Sequence, residues 1–300
     1  MAMNRASFAK MLEPGLNTLF GLEYDSYPAE YEAVFESNTS QKAFEEDVLL
    51  AGFGSAPTKN EGASVSYDDA GQQWTARYQH ETVALAFSIT EEAEEDGQYG
   101  SIASRYTKAL ARSMSSTKEI KAANVLNNAT SANGGDGTTL LSTAHPTQNG
   151  NQSNTLATAA DLSETSLESI LIQIADMKDE RGLRVAAQGT QLIIPTAYTF
   201  VAERLLESQL RTGTADNDIN AIKSGGYLPK GYHVMRRLTD ADQFFVQTDV
   251  PDGLKYFTRS AMKKGMEGDF ETGNIRYKCR ERYSFGFTDW RGIFGSEGAA

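Results

Sequence analysis

The chain has 300 residues, 40% hydrophobic and 10% aromatic, which is enough for a sizeable core and excludes wholesale disorder. Its formal charge is −12, from 40 acidic and 28 basic residues, a poor basis for gripping nucleic-acid phosphates, which needs clustered Lys and Arg. One cysteine excludes internal disulfides and cysteine-rich metal sites; without a secretory-type start or an apolar run near the ~20 residues that span a bilayer, a soluble protein made inside the cell is expected.

Residues 1 to 50 scatter aromatics (Phe8, Phe20, Tyr24, Tyr27, Tyr31, Phe35), and Pro14 and Pro28 interrupt any helix. Two readings stand side by side: an irregular segment packed on its own domain, or an arm whose aromatics dock on a neighbouring subunit. Residues 51 to 90 read as a long β-hairpin, with "SVSYDD" and "QWTARYQHETVALAFSIT" flanking the turn signal "DDAG" at 68 to 71. Val83, Leu85, Phe87 and Ile89 alternate as in a half-buried strand, whereas Gly62 to His80 is polar, so the hairpin is expected to project.

The acidic cluster "EEAEEDG" (91 to 97) precedes the longest helical signal, Gly100 to Asn128, with Ile102, Tyr106, Leu110, Met114, Thr117, Ile120, Ala123 and Leu126 as its apolar stripe. At 1.5 Å per residue it is a rod of roughly 40 Å, expected to lie along a sheet. The Asn/Gly-rich "NNATSANGGDG" ends it, and residues 127 to 160 are low in complexity. A second helix opens at "DLSE" (161 to 164), a capping-box-like pattern, and buries Leu167, Ile170, Leu171, Ile174 and Met177. "QLIIP" (191 to 195) reads as a buried strand, Thr196 to Gln209 as a helix, and "GYHVMRRLTDADQFFVQTD" as two strands around a tight turn. Last comes a long strand, "NIRYKCRERYSFGF": Ile275, Tyr277, Cys279, Tyr283 and Phe285 occupy its buried face, and Arg276, Lys278, Arg280 and Arg282 the other. The block that alternates helices and strands before this last strand reads as α/β or α+β.

Candidate chemistry is sparse. "GGDGTT" lacks the lysine and spacing of a phosphate loop. Asp216, Asp218 and Asn220 match the first three ligand positions of an EF-hand loop, but Ala221 and Tyr227 stand where its glycine and bidentate glutamate belong, leaving a solvated acidic loop as the better reading. His80, His145 and His233 are scattered. His145 could pair with Ser142 in a hydrolase, yet no G-x-S-x-G elbow accompanies them, and a polar connection without catalytic role is the preferred reading. Cys279 alternates with core aromatics and reads as a buried, inert thiol. No catalytic, cofactor-binding or metal-ligating residue is assigned, and no cofactor is expected. The basic row Arg276, Lys278, Arg280 and Arg282 either faces acids, such as "EEAEEDG" on a neighbouring chain, or packed nucleic acid; the acidic chain favours the first.

An aromatic arm, a projecting hairpin, a rod-like helix, a compact mixed domain and a long returning strand, in that order, resemble a tailed-phage major capsid protein of the Hong Kong ninety-seven type. "LLSTAHPTQNGNQSNTL", "LIIPTAYTFVAERLLES" and "RYSFGFTDWRGIFGS" are similar to stretches of its Mu-like major head subunit branch. The resemblance implies an N-terminal arm (1–51), an E-loop hairpin (52–90), a P-domain spine helix (91–138), an A-domain (139–250) and P-domain C-terminal strands (251–300). It further implies self-assembly into hexamers and pentamers of an icosahedral shell enclosing double-stranded DNA, without sequence-specific DNA binding and without a membrane. A separate scaffolding protein, a portal and a decoration protein are the implied partners; the shell is part of the virion and is assembled in the host cytoplasm. Some members cross-link through a Lys–Asn isopeptide; Lys59 is a conceivable donor, but nothing marks an acceptor and no cross-link is expected. An encapsulin-like cargo shell is the alternative that shares the fold.

Overall fold

The computed structural model describes residues 5–90, 99–210, 218–269 and 272–299, with side chains described from residue 13 and, after the break, from residue 102. The acidic cluster 91 to 97 and Asp216 lie outside the described residues. The long helix is the central beam: Tyr99–Asn127 (here α2), close to the predicted bounds. It lies with the N-terminal helix, Arg5–Tyr24 (α1), on one face of a four-stranded sheet ordered β1 (Glu36–Thr39), β10 (Leu254–Gly268), β11 (Ile275–Phe287), β4 (Glu81–Ile89). β1 runs parallel to β10, and the remaining pairs are antiparallel.

The stripe that α2 buries is rotated from the predicted one. Ala103, Thr107, Leu110, Ala111, Met114, Lys118, Ala122 and Leu126 face inward, while Tyr106 and Ile120 are 51% and 44% exposed. Ala103, Ala111 and Ala122 recur along this face, where a helix pressed on a sheet and on α1 leaves little room between the larger Leu110, Met114 and Leu126. α1 runs through Pro14, contrary to the expectation of a broken segment. An internal proline costs about 3 kcal/mol, which burial of Leu16 and Phe20 against Ala103, Leu110, Met114, Tyr277 and Cys279 offsets. Tyr31, Val34 and Phe35 enter the core of the same chain. Of the aromatics in the N-terminal segment, Phe20, Tyr31 and Phe35 pack on their own chain, whereas Tyr27 is exposed.

A second four-stranded sheet, ordered β12 (Ile293–Ser296), β9 (Phe244–Thr248), β7 (Gly189–Ile194), β8 (Tyr232–Val234), carries the mixed region. β8 and β9 do not form the expected two-strand turn: β7 lies between them, parallel to β8 and antiparallel to β9. Leu192 and Ile194 on one face and Ile193 on the other, all fully buried, explain the order, since a strand apolar on both faces belongs in the middle of a sheet. Glu164–Ala175 (α3) is capped by Ser163, and its reciprocal partner is Ser166, not the acid that "DLSE" suggested. The helix expected over 196 to 209 is a 3-10 turn, Thr196–Tyr198, followed by Thr199–Glu207 (α4).

The projecting hairpin exists, but its strands are not those predicted. The outgoing arm is β2, Phe44–Ala51, paired antiparallel with β3, Gly71–Gln79. "SVSYDD" forms no strand: residues 52 to 70 have no regular structure, and all but Gly54 are exposed. Glu81 to Ile89, assigned to the hairpin from its alternation, instead pairs with β11 in the main sheet. Alternation marks a strand with one buried face; it does not say which strand lies beside it.

Candidate assembly surface

The feature closest to a catalytic site is a structural knot. His145 heads the short strand His145–Thr147 (β5), paired with Gly150–Gln152 (β6), and is completely buried, with its ring stacked 4.2 Å from that of Trp290. The polar connection expected here is a buried one. Its Nδ1 lies 2.6 Å from Asp136 Oδ2 and 2.9 Å from Thr138 Oγ1, and its Nε2 lies 3.1 Å from Asn154 Oδ1. Asn154 is equally buried; its Nδ2 donates to Leu140 O (2.6 Å) and Ile293 O (2.9 Å), and its Oδ1 accepts from the Ser142 N–H (2.9 Å). Ser142 Oγ meanwhile accepts from the Ala144 N–H at 3.1 Å. Both imidazole nitrogens are engaged within the protein, so His145 has no free nitrogen for Ser142 or for a substrate.

The glycine cluster serves this knot and the hairpin. A Cβ on Gly135 would sit 2.8 Å from Trp74 Cδ1 and 2.9 Å from Thr75 O, and one on Gly134 would sit 2.5 Å from the Phe287 ring. The bare backbone lets the loop approach β3 and the end of β11 closely, and the next residue, Asp136, meets His145. Burial pushes the Asp136 carboxyl up, but hydrogen bonds from His145 and from the Thr138 side chain and backbone outweigh it and hold the group below its ordinary value.

The other sequence candidates are also structural. Asn220 caps Ala221–Gly225 (α5) and donates from Nδ2 to Leu205 O and Ser208 O, tying off the end of α4. It is therefore a buried staple, not part of a solvated loop. Among the described residues no group of three or more His, Cys, Asp or Glu is placed to hold a metal ion. Cys279 is buried, its Sγ 3.6 Å from Leu85 O, and burial pushes the thiol up to about 11. His80, also buried, bridges Ser284 Oγ (3.0 Å) and Ser40 Oγ (2.9 Å), and burial lowers its pKa. His233 stands in β8, lowered likewise by burial. Lys59 is exposed on the hairpin loop.

Sequence reasoning missed the charged pair in the main core. Lys118 Nζ of α2 lies 3.5 Å from Glu281 Oε2 of β11, both side chains nearly buried, with the rings of Tyr31, Tyr256 and Tyr283 5.0–5.4 Å from the ammonium. The available signal was Glu281 itself, an acid in the phase of Tyr277, Cys279 and Tyr283.

Surface suited to other molecules lies in two places. The hairpin exposes Val48, Leu50, Phe53, Val65 and Tyr67, with Tyr67 95% accessible. Its base is stapled: Trp74 Nε1 donates to Thr288 O (3.1 Å), the Tyr78 hydroxyl and Thr288 Oγ1 lie 2.6 Å apart, and Lys255 Nζ is 2.6 Å from Asp47 Oδ2. A rigid base with an apolar, unpacked tip is the geometry of an intermolecular contact. The second place is the open face of the main sheet, where Arg276, Lys278 and Arg280 are exposed and Arg282 is partly so, on the side away from α1 and α2 as predicted.

The fold is shared with solved shell structures. The procapsid of bacteriophage JBD30 superposes with a TM-score of 0.53 at 15% identity, over 98% of this chain and 76% of that one. The capsid of an empty GTA particle gives 0.53 at 14%, over 91% and 90%. The virus-like particle from Pyrococcus furiosus gives 0.51 at 11%, over 94% and 97%. The chain therefore has the α+β fold of phage major capsid proteins. Residues 73–295 match the family described as phage capsid protein, and the chain belongs to that family as a structural capsid protein. No curated protein sequence matches it.

Proposed function

We propose that the protein is the major head subunit of a tailed phage, forming hexamers and pentamers of an icosahedral shell around double-stranded DNA. The observation that carries this reading is the family match over residues 73–295, which takes in the returning arm of the hairpin, the long helix, the second sheet and every strand of the main sheet but β1. The hairpin supports it, because Phe53, Val65 and Tyr67 at its tip are exposed. In the domain frame we propose, α1 and the following aromatics are the arm, β2 to β3 the E-loop, α2 with the main sheet the P-domain, and the region of the second sheet the A-domain. A Mu-like branch, a separate scaffolding protein, a portal and a decoration protein belong to the same reading, as does assembly in the host cytoplasm. The protein has no enzymatic role in it, and the enclosed His145 gives a hydrolase no support. An encapsulin-like shell is disfavoured by the family match. Electron microscopy and sedimentation of the purified protein, with and without a co-expressed scaffold, test the proposal. Closed shells are expected; a monodisperse monomer at high concentration in both cases would overturn it.

A further inference from the structure

Beside the hairpin tip and the open sheet face the chain has a third contact surface, a groove between α3 and α5. We propose that this groove receives Phe200 of a second copy, with that copy's Arg204 beside Glu168. The groove measures about 720 Å³, within the range of natural binding clefts. Ile172 and Tyr227, 63% and 54% exposed, line it together with the more buried Leu171, Gly189 and Ile222. Among the described residues Glu168 is the one charged group that lines it. The groove thus lacks the converging polar groups that orient a small polar ligand, and it suits an apolar side chain.

The matching feature stands on α4. Phe200 is 77% exposed, the most exposed phenylalanine among the described residues, and so does not fill the groove of its own chain. The groove takes in Gln188 and Gly189, where β7 begins, whereas Phe200 follows the far end of β7, after Ile194. Each copy therefore carries a ring at one end of this strand and a groove at the other. A contact between two different patches repeats head to tail and closes into a ring where the rotation allows. Hexamers and pentamers need such a contact, and to this extent the inference rests on the shell reading. Charge supports the same partner. Arg204 lies one turn, about 6 Å, from Phe200 on the same face of α4, and Glu168 lies one turn from Ile172 on α3. Arg204 is exposed, Glu168 partly so, and neither makes an ion pair among the described residues. The hairpin tip is also apolar and exposed, but Asp68 and Asp69 directly follow Tyr67 there and would set carboxylates against Glu168.

The test uses the full-length chain under assembly conditions. Phe200→Ser should raise the subunit concentration at which particles form by about tenfold or more, as loss of an aromatic anchor does, and should leave subunit unfolding unchanged. Arg204→Glu and Glu168→Arg should each raise it too, with Glu168→Gln milder. The double variant R204E/E168R restores opposite charges at every contact and should return it most of the way. Cys279 is buried, so cysteines introduced at positions 172 and 200 are the reactive ones. I172C/F200C treated with a short bis-maleimide should give covalent oligomers, and either single variant should not. Parental assembly by F200S and R204E, or cross-linking that needs only one of the two cysteines, overturns the inference and leaves the shell reading intact. Cross-linking of I172C to Tyr67→Cys in place of F200C gives the groove to the hairpin tip and overturns it equally. If no condition yields particles, the shell reading fails; cross-linking between copies that requires both positions then upholds this contact, and its absence overturns it.

Discussion

Lys118 of the long helix and Glu281 of β11 meet 3.5 Å apart in the seam between helix and sheet, beneath the N-terminal segment that brings Tyr31. Burial opposes the ammonium charge, but Glu281 and the facing tyrosines outweigh it and raise the lysine pKa; burial pushes the Glu281 carboxyl up against the pull of Lys118. Removing one member strands the other's charge, which costs about 3–5 kcal/mol, whereas an apolar pair of similar volume is often neutral or better. Glu281→Gln should therefore destabilise the subunit by that amount in denaturant titration, and the double variant K118M/E281L should recover most of it. A double variant as unstable as the single would show that the loss comes from packing, not from an unpaired charge.

The His145 knot gives a pH prediction. Asp136 is held below its ordinary value in the folded chain. A depressed carboxyl binds fewer protons folded than unfolded, so its contribution is fully present above the unfolded pKa of about 3.9 and is lost as pH falls through the folded value. Unfolding midpoints measured from pH 6 down to pH 2 should fall more steeply for the parent than for Asp136→Asn, which should start lower and show a flatter acid limb. Parallel curves would mean that Asp136 contributes no acid-linked stability.

The elements were legible where one physical signal sufficed. The long helix showed itself by its uninterrupted run, and β11 by strict alternation, with Tyr277, Cys279 and Tyr283 buried and Arg276, Lys278 and Arg280 exposed. Pairing was less legible, because partners depend on contacts distant in sequence. β4 alternates as well beside β11 as it would in a hairpin, and β7 takes its central place only once β8 and β9 flank it. His145 misled for a similar reason. Its polar neighbours looked solvent-loving, yet Asp136, Thr138 and Asn154 satisfy one another's hydrogen bonds and are buried or half-buried together. Polarity predicts exposure only when polar groups have no partners of their own.

The two faces of β11 give a paired prediction. Tyr277 is 1% exposed among Leu110, Met114 and Phe20, and its hydroxyl donates to Asn17 Oδ1 at 2.8 Å. Tyr277→Ala should cost about 3–5 kcal/mol, a large share of a typical domain's 5–15 kcal/mol. Arg280→Glu on the opposite face should change subunit stability by no more than about 0.5 kcal/mol. Thermal unfolding of the two variants checks both values; equal losses would contradict the assignment of faces.

The hairpin tip should be dispensable for folding and required for assembly. Ala51 and Gly71 are the last paired positions of β2 and β3. Residues 52 to 70 beyond them are exposed apart from the partly covered Gly54. Replacing 52–70 by Asn-Gly, the dipeptide favoured in type I′ turns, would close the strands directly. Within the rest of the chain the loss includes the exposed contact between Arg181 and Asp68, at 3.4 Å, worth about 0–1 kcal/mol. The shorter connection lowers the entropy of closing the loop and works in the opposite direction. Trp74, Tyr78 and Lys255 keep their contacts with Thr288 and Asp47, so the base stays anchored. The variant should therefore unfold within a few degrees of the parent. It should at the same time lose closed particles, because Phe53, Val65 and Tyr67 leave with the loop and take its apolar contact surface with them. Calorimetry and electron microscopy on one preparation read both outcomes. Normal shells would show that the tip is not an assembly contact, and an unfolded subunit would show that residues 52 to 70 support the fold despite their exposure.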